Sequence, residues 1–205
     1  MVTLYGQFMS RAMRCLWTLE ELGIDYEHVK TNQQAGESHT DEYKSINPNG
    51  RVPAMTDGDL VMCESMAINM YLAKKYGTGS LWPTQVEHEG SVMQWAIWAS
   101  LEVEWFVVDY LRHAVIYPED KRKPELAERA LEILPQPLAI LNDHLKDRDY
   151  MVGGGFTVAD INVSSVLLLA DIYKQLGVAQ YPHILEWLEQ CCASRPAFQK
   201  LPSLK

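Results

Sequence analysis

Arg51-Val52-Pro53-Ala54-Met55-Thr56-Asp57-Gly58-Asp59-Leu60-Val61-Met62-Cys63-Glu64-Ser65 is the stretch that decides the fold. Val52 to Thr56 and Leu60 to Cys63 are two short apolar runs. They flank Asp57-Gly58-Asp59, a turn signal tight enough to reverse the chain between neighbouring strands. The pair is therefore predicted to be antiparallel. Ser65 then opens a helix through Met66, Ala67, Met70, Leu72 and Ala73. Lys74 and Lys75 suit its negative end, and Gly77 stops it.

Upstream of this hairpin, Val2 to Tyr5 is a β-branched and aromatic run that reads as a strand. Arg11 to Leu22 carries Ala12, Cys15, Leu16, Leu19 and Leu22 at helical spacing, and Gly23 ends it. Asp25 to Lys30 reads as a second strand, with Tyr26 and His28 on one face, and Thr31 to Tyr43 as a loop with a weak helix. A helix between two strands makes that pair parallel and right-handed. The order β-α-β, connection, β-β-α is that of a thioredoxin-like α/β domain, expected over residues 1–78.

Gly77-Thr78-Gly79-Ser80-Leu81-Trp82-Pro83-Thr84 is rich in breakers and reads as a linker. Beyond it no strand pattern survives, so an all-α domain is expected over residues 86–205. Glu87 to Ile116 predicts one long helix, and Lys123 to Leu145 a second that must kink or break at Pro135 and Pro137. Thr157 to Leu176 predicts a third, closed by Gly177. Pro182 to Ala193 predicts a fourth with proline as its first residue, and Pro196 opens a last short turn. Thr157-x-x-Asp160 fits a capping box, and Phe156 suits a hydrophobic staple; Asp160 is read as structural.

The chain has 205 residues, room for one large domain or two small ones with a core that needs no metal or disulfide staple. Lys+Arg number 18 and Asp+Glu 27, a net charge of −9. Such a surface repels phosphate backbones and anionic membranes, so neither a nucleic acid nor a membrane is expected as a partner. No stretch approaches the roughly 20 apolar residues of a membrane span, and Met1 to Gly6 carries no signal-type flank, which points to the cytoplasm. Cys15, Cys63, Cys191 and Cys192 form no CxxC spacing and read as free thiols, with Cys191 and Cys192 packed in a helix. No metal site is read.

Four segments resemble the cytosolic glutathione transferases, in order and over nearly the whole chain. Tyr5-Gly6-Gln7-Phe8-Met9-Ser10 resembles the active-site segment of the serine-type enzymes, the phi class and its bacterial relatives. Ile46-Asn47-Pro48-Asn49-Gly50-Arg51-Val52-Pro53 resembles the glutathione-binding segment. Cys63-Glu64-Ser65-Met66-Ala67-Ile68 is similar to the element that holds the γ-glutamyl end, and Gly155 to Ile161 to a folding motif of the helical domain.

The resemblance implies a glutathione S-transferase that uses glutathione as co-substrate, with no prosthetic group, acting on a small hydrophobic electrophile. It implies a cis Val52–Pro53 bond that turns the Val52 amide and carbonyl outward to pair with an extended peptide, as an added strand does. It places the γ-glutamyl carboxylate on Ser65 at a helix N-terminus and the ammonium on Glu64; Ser65 also reads as an N-cap. Arg11 and Arg51 offset the repulsion between an acidic protein and an anionic peptide. Arg14 reads either as one more such group or as a structural partner. His39, after Gly36-Glu37-Ser38, stands where the phi-like pattern has a lysine for the glycyl end, or is a solvated loop residue.

Ser10 reads as a helix N-cap or as the donor to the glutathione sulfur. A thiol of pKa about 8.5 is only a few per cent ionised at pH 7. A hydrogen bond to a charged group is worth about 1.5–3 kcal/mol, or roughly one to two pKa units. Two units raise the thiolate fraction about twentyfold, and the accompanying loss of nucleophilicity returns roughly eightfold. Placement of the electrophile must then supply much of any large acceleration.

Candidates to line the electrophile site, which the family places between the domains, are Phe8 and Met9 ahead of Ser10, and Trp105, Asp109 and Arg112. Trp95, Trp98 and Glu102 lie on the same helix. Leu101-Glu102-Val103-Glu104 resembles the phi-like interface helix and implies a homodimer. The readings kept beside the transferase are a non-catalytic glutathione- or ligand-binding or protein-interaction protein of the same fold, and a glutathione-dependent isomerase, dehalogenase or peroxidase.

Overall fold

The structure is a computed structural model that describes residues 1–168 and 172–201. Its contacts divide the chain into two compact units, Met1–Thr84 with Ser194–Lys205, and Gln85–Ala193.

In the first unit, β1 (Val2–Tyr5), β2 (Tyr26–Val29), β3 (Ala54–Asp57) and β4 (Leu60–Cys63) form one sheet in the order β2-β1-β3-β4. The β1–β2 pair is parallel and the β3–β4 pair antiparallel, as expected from their connections. The added feature is the antiparallel β1–β3 pairing, which sets Tyr5 opposite Ala54. Three helices complete the thioredoxin-like arrangement: α1 (Ala12–Leu22), α2 (Asp41–Ile46) and α3 (Ser65–Tyr76). Gly23 ends α1 with φ 62°, a left-handed conformation that glycine adopts without steric cost.

Successive strand residues point to opposite faces. Leu4 and Met55 are cross-strand partners on one face and are fully buried, as are Leu16, Leu19, Ile68 and Leu72 of α1 and α3. On the other face Tyr5 meets Tyr43 of α2 edge-on, with Val52, Ala54 and Ile46 in the same small cluster. The sheet is thus covered by two helices on one side and by α2 and its loop on the other, which leaves its Tyr5–Cys63 end at the loops that follow.

The segment after residue 193 packs on α1. α11 (Pro196–Lys200) sets Phe198 against Trp17 at 4.7 Å, and Arg195 pairs both oxygens of Glu21, Nη2 to Oε2 at 2.7 Å. Lys200 reaches Glu20 at 3.3 Å.

The second unit consists of helices and loops among its described residues. The expected long helix begins as α4 (Val86–Trp98) and continues through residues 99–104, α5 (Trp105–Tyr110) and residues 111–116. Both unlabelled stretches are π-helical rather than α-helical. The expected break at the prolines is real: α6 (Pro124–Ile133) ends before α7 (Pro135–Leu145). Pro135 and Pro137 fall in the first turn of α7, where the missing amide donors have no helical partner to lose.

α8 (Val158–Leu168) and α9 (Ile172–Gln175) cover most of the third expected helix; residues 169–171 lie outside the described residues. α10 (Pro182–Glu186) runs into a π-helical stretch, Trp187–Ala193. Cys192 is buried, while the side chain of Cys191 lies outside those described.

The capping residue Asp160 is fully buried. Its Oδ2 accepts from the Thr157 amide at 2.8 Å and the Thr157 hydroxyl at 3.1 Å. Its Oδ1 accepts from the Met151 amide at 2.8 Å and from Trp187 Nε1 at 3.0 Å. Burial pushes its carboxyl up to about 6 against the pull of those donors. Phe156 packs edge-on against Tyr150.

Candidate functional site

The first unit gathers the Ser10 loop, Val52-Pro53 and Glu64-Ser65 into one region. β1 ends at Tyr5, and Gly6 turns the chain out of the sheet with φ 150°. A Cβ on Gly6 would stand 2.6 Å from the Ala12 Cβ and 3.5 Å from that of Val52. Only glycine lets the loop close on the start of α1 and on the Val52-Pro53 segment together. Phe8 is half-buried and Met9 exposed in that loop, on the approach to Ser10.

Ser10 lies two residues ahead of α1. Its hydroxyl donates to the Gln7 carbonyl at 2.7 Å and accepts from the Ala12 amide at 3.1 Å. Its own carbonyl accepts the Met13 amide at 3.0 Å. Arg11, not Ser10, occupies the cap position of α1. The Ser10 oxygen takes the Ala12 amide at the helix start, and its half-buried hydroxyl carries one proton that can be handed from Gln7 to another acceptor.

The Val52–Pro53 bond is cis. Asn47 Nδ2 at 2.7 Å and the Tyr43 hydroxyl at 2.8 Å both donate to the Arg51 carbonyl and fix the segment from behind. Burial pushes the Tyr43 hydroxyl up to about 12, so it stays a donor at any working pH. Among the described residues, the chain itself engages neither the amide nor the carbonyl of Val52. Arg51 is exposed.

Glu64, not Ser65, occupies the cap position of α3, so the expected N-cap moves back one residue. Glu64 has φ 70° and ψ 100°, a region that costs a residue with a side chain about 1–3 kcal/mol and persists only where its surroundings enforce it. The strained backbone leaves the Glu64 side chain exposed. Ser65 is the first residue of α3 and is buried.

Arg14, also buried, donates to Ser65 Oγ at 3.3 Å, and Cys15 donates to the Ser65 carbonyl at 3.5 Å. Asn69 Nδ2 and Thr18 Oγ1 hold the Arg14 carbonyl. Of its two sequence readings, Arg14 thus takes the structural one: it ties α1 to the start of α3 and orients the Ser65 hydroxyl. Cys15 is pushed up to about 12 by burial and has no thiolate chemistry.

His39 is exposed at the end of a short 3-10 turn, Glu37–His39. Its Nδ1 lies 3.2 Å from Ser38 Oγ, whose proton goes to the Gly50 carbonyl at 2.9 Å. That arrangement directs the Nδ1–H at Ser38 and leaves Nε2 as the outward atom. Arg11 is half-buried at the start of α1.

Trp105, Asp109 and Arg112 belong to the second unit, on successive turns of the 86–116 helix. Trp105 and Arg112 are exposed and Asp109 is half-buried. Trp95 is instead core, stacked 4.4 Å from His144.

Sequence reasoning missed two arrangements, made by three residues. Tyr43 and Asn47 hold the Arg51 carbonyl, and His28 reaches the Gly6 carbonyl at 2.8 Å. The Asn47-Pro48-Asn49-Gly50 turn signal could have pointed to the first. No local pattern announces the second. Among the described residues no group of three or more histidines, cysteines and carboxylates could hold a metal ion, and no helix is long and apolar enough to cross a membrane.

Comparison with known proteins gives the same picture from another side. Residues 1–74 match the family described as "Glutathione S-transferase, N-terminal domain", and residues 100–195 the family described as "Glutathione S-transferase, C-terminal domain". Glutathione S-transferase 3 of Zea mays is 33% identical, over 96% of this chain and 91% of its own. Glutathione S-transferase GstB of Escherichia coli is 29% identical over 98% of this chain and 97% of its own. Among solved structures, a glutathione S-transferase-I bound with lactoylglutathione superposes with a TM-score of 0.87 at 31% identity, covering 100% of this chain and 99% of the other. A theta-class glutathione S-transferase from Xanthomonas axonopodis pv. citri, with glutathione bound, gives 0.86 at 30% identity, covering 97% and 95%. This chain belongs to the glutathione S-transferase family.

Proposed function

We propose that the protein is a serine-type glutathione S-transferase that binds glutathione across Val52, Glu64 and Ser65 and stabilises its thiolate with Ser10. The observation that carries this reading is the Ser10 hydroxyl itself. It sits at the positive end of an 11-residue helix, in a loop whose base touches Val52-Pro53, and the same helix braces Ser65 through Arg14.

In this reading glutathione lies extended along Val52, with one backbone donor and one acceptor free to meet it. Its γ-glutamyl carboxylate takes the Ser65 hydroxyl and the first amides of α3, and its ammonium faces Glu64. Arg11 and Arg51 supply the positive groups near the peptide, and His39 a ring nitrogen at the glycyl end. The proton of the thiol leaves to solvent, and the thiolate is held by Ser10. The sulfur then attacks an electrophilic carbon, a C–S bond forms, and the displaced group or acceptor atom takes the electron pair. Phe8 and Met9, in the loop that carries Ser10, are this unit's candidates to seat that electrophile.

The hydrogen bonding of Ser10 sets the size of its effect. Donating to sulfur means leaving the Gln7 carbonyl. A charge-assisted bond of about 1.5–3 kcal/mol replaces a neutral one of about 0.5–1.5. The net gain is about 1–1.5 kcal/mol, or roughly one pKa unit, at the low end of the range expected from sequence. Turnover beyond a few-fold then comes from positioning.

A homodimer is part of the proposal. Met93, Ile97, Leu101 and Trp105 recur every four residues along the second unit's first helix and are 43%, 56%, 61% and 49% exposed. The edge strand β4 also exposes Leu60 and Val61. Such stripes are uncommon on monomers. The cytoplasm as its compartment rests on the free thiols Cys15 and Cys63.

The test is a glutathione-dependent panel of aryl halides, enones, haloalkanes and hydroperoxides, run with the wild-type chain and Ser10→Ala. Conjugation by the wild type, with the thiol pKa of bound glutathione about one unit higher in Ser10→Ala, supports the reading. Tight glutathione binding with no turnover of any electrophile refutes it and leaves a binding protein.

A further inference from the structure

We propose that His28 is a positioning residue for the reaction, acting through the Gly6 peptide on the Ser10 hydroxyl. This rests on the reading of Ser10 as the thiolate donor. His28 lies on β2, in register with Leu4, beside the point where β1 gives way to the loop. Its Nε2 is 2.8 Å from the Gly6 carbonyl oxygen. A carbonyl only accepts, so Nε2 carries the hydrogen and His28 donates.

The Gly6 amide in turn donates to the Val29 carbonyl at 3.0 Å. Both backbone polar groups of Gly6 are therefore taken by consecutive residues of β2, one through its side chain and one through its backbone. Val29 is held by the sheet ladder whatever its side chain. His28 holds the other half of the anchor by its side chain alone.

The consequence falls on Ser10 because of how the loop closes. Gly6 has φ 150° and no side chain, and its Cα packs where a Cβ would be 2.6 Å from Ala12. Left untied, a glycine at this position has more conformational freedom than any other residue. The next carbonyl along, that of Gln7, is the acceptor for the Ser10 proton at 2.7 Å. The peptide that His28 fixes therefore adjoins the one on which Ser10 rests before its hydroxyl turns to the sulfur.

Freeing Gly6 loosens the loop that sets where the Ser10 oxygen stands, and so where its proton reaches once it leaves Gln7. It also lets Ser10 swing about the fixed Ala12 amide that donates to its oxygen at 3.1 Å. The peptide-binding groups at Val52, Glu64 and Ser65 lie on other segments. The loss should appear in the ionisation of the bound thiol and in kcat, not in the affinity for glutathione.

The experiment uses the full chain with four variants: His28→Leu, His28→Gln, Ser10→Ala and the double variant His28→Leu/Ser10→Ala. Each is read by the ultraviolet absorbance of the bound thiolate against pH, by kcat and KM for glutathione with an electrophile that the wild type turns over, and by calorimetric affinity. In His28→Leu the thiol pKa should rise by at least half of the shift seen in Ser10→Ala. Its kcat at neutral pH should fall about 2- to 5-fold, with KM and affinity for glutathione within twofold of wild type. His28→Gln places an amide N–H where Nε2 was and should restore both values. The double variant should match Ser10→Ala, since a residue that acts through Ser10 adds nothing once Ser10 is gone.

A wild-type thiol pKa in His28→Leu, beside a shifted one in Ser10→Ala, overturns the proposal and leaves Ser10 in place. An additive shift in the double variant overturns it as well, because His28 would then act on the sulfur by another route. Lowered affinity and stability without a pKa shift makes His28 structural only, which also refutes it. An unshifted thiol pKa in Ser10→Ala defeats the reading of Ser10 itself, and the proposal with it.

Discussion

Replacing Asp57 by asparagine should cost the fold about 1 kcal/mol at neutral pH and almost nothing near pH 2. Asp57 closes β3 opposite Leu60, and its Oδ2 is the meeting point of three donors from the end of α3. Lys75 Nζ and the Tyr76 hydroxyl approach to 2.7 Å, and the Tyr71 hydroxyl to 2.9 Å. Burial pushes the carboxyl up, but the hydrogen bonds from Lys75, Tyr76 and Tyr71 outweigh it and hold the group at about 2, below its ordinary 3.8.

A carboxylate depressed in the folded state stabilises the fold while it is ionised. Its contribution is complete above the unfolded pKa near 4, shrinks as pH falls, and is gone below about 2. The gap corresponds to about 2 kcal/mol at 1.36 kcal/mol per unit. Lys75 has 45% of its side chain exposed, and solvent screening leaves about half of that, or roughly 1 kcal/mol. Asparagine keeps the shape and an acceptor oxygen, so the substitution isolates the charge.

The assay is urea unfolding of both chains followed by tryptophan fluorescence, at steps from about pH 7 to about pH 2.5, with the difference taken from midpoint and slope. The difference should stay level down to about pH 5 and then close. A difference at pH 3 as large as that at pH 7 would refute the electrostatic argument and leave only hydrogen-bond geometry.

Three further outcomes follow from the structure. Asp160→Ala strands the Met151 and Thr157 amides and the Trp187 indole N–H without an acceptor; at about 1–3 kcal/mol each, offset by removal of a buried charge, the loss should be at least about 3 kcal/mol in urea unfolding. Glu64→Gly should separate stability from binding. It relieves the φ 70° backbone and raises the unfolding free energy by up to about 1 kcal/mol, while KM for glutathione rises severalfold because the ammonium loses its partner. Cys15, buried and pushed up to about 12, should resist a thiol reagent in the native protein and react only on unfolding, whereas half-buried Cys63 should react in the native state. Mass spectrometry of the labelled peptides reads both.

Much of this could be read from local patterns. The Asp57-Gly58-Asp59 turn gave away the β3–β4 hairpin, Gly23 the end of α1, and Pro135 the break between α6 and α7. These features are legible because one or two residues with special backbone chemistry decide them. The β1–β3 pairing is not local, so no window of sequence contains it.

The π-helical stretches at 99–104 and 111–116 were invisible for another reason. Over a turn or two, apolar spacing fits a wider helix as well as an α-helix, and the choice is made by packing. At the site, the candidates for glutathione came from a resemblance, but what each side chain does there depends on neighbours far away in sequence. Arg14 behind Ser65 is 51 residues from its partner, and His28 is 22 from Gly6.

The placement of Phe198 and Arg195 on α1 has a consequence for how the protein is made. A chain emerging from the ribosome completes all four strands and α3 by residue 76, yet the outer face of α1 still lacks its cover. Trp17 and the Glu21 carboxylate wait for a segment some 120 residues past that point. At 5–20 residues per second, that delay is roughly 6–24 seconds. Through that interval the nascent first unit presents an indole ring, and an acid still without its arginine, where the finished protein presents a closed surface. A chaperone that holds exposed aromatic surface has that window to act on this chain.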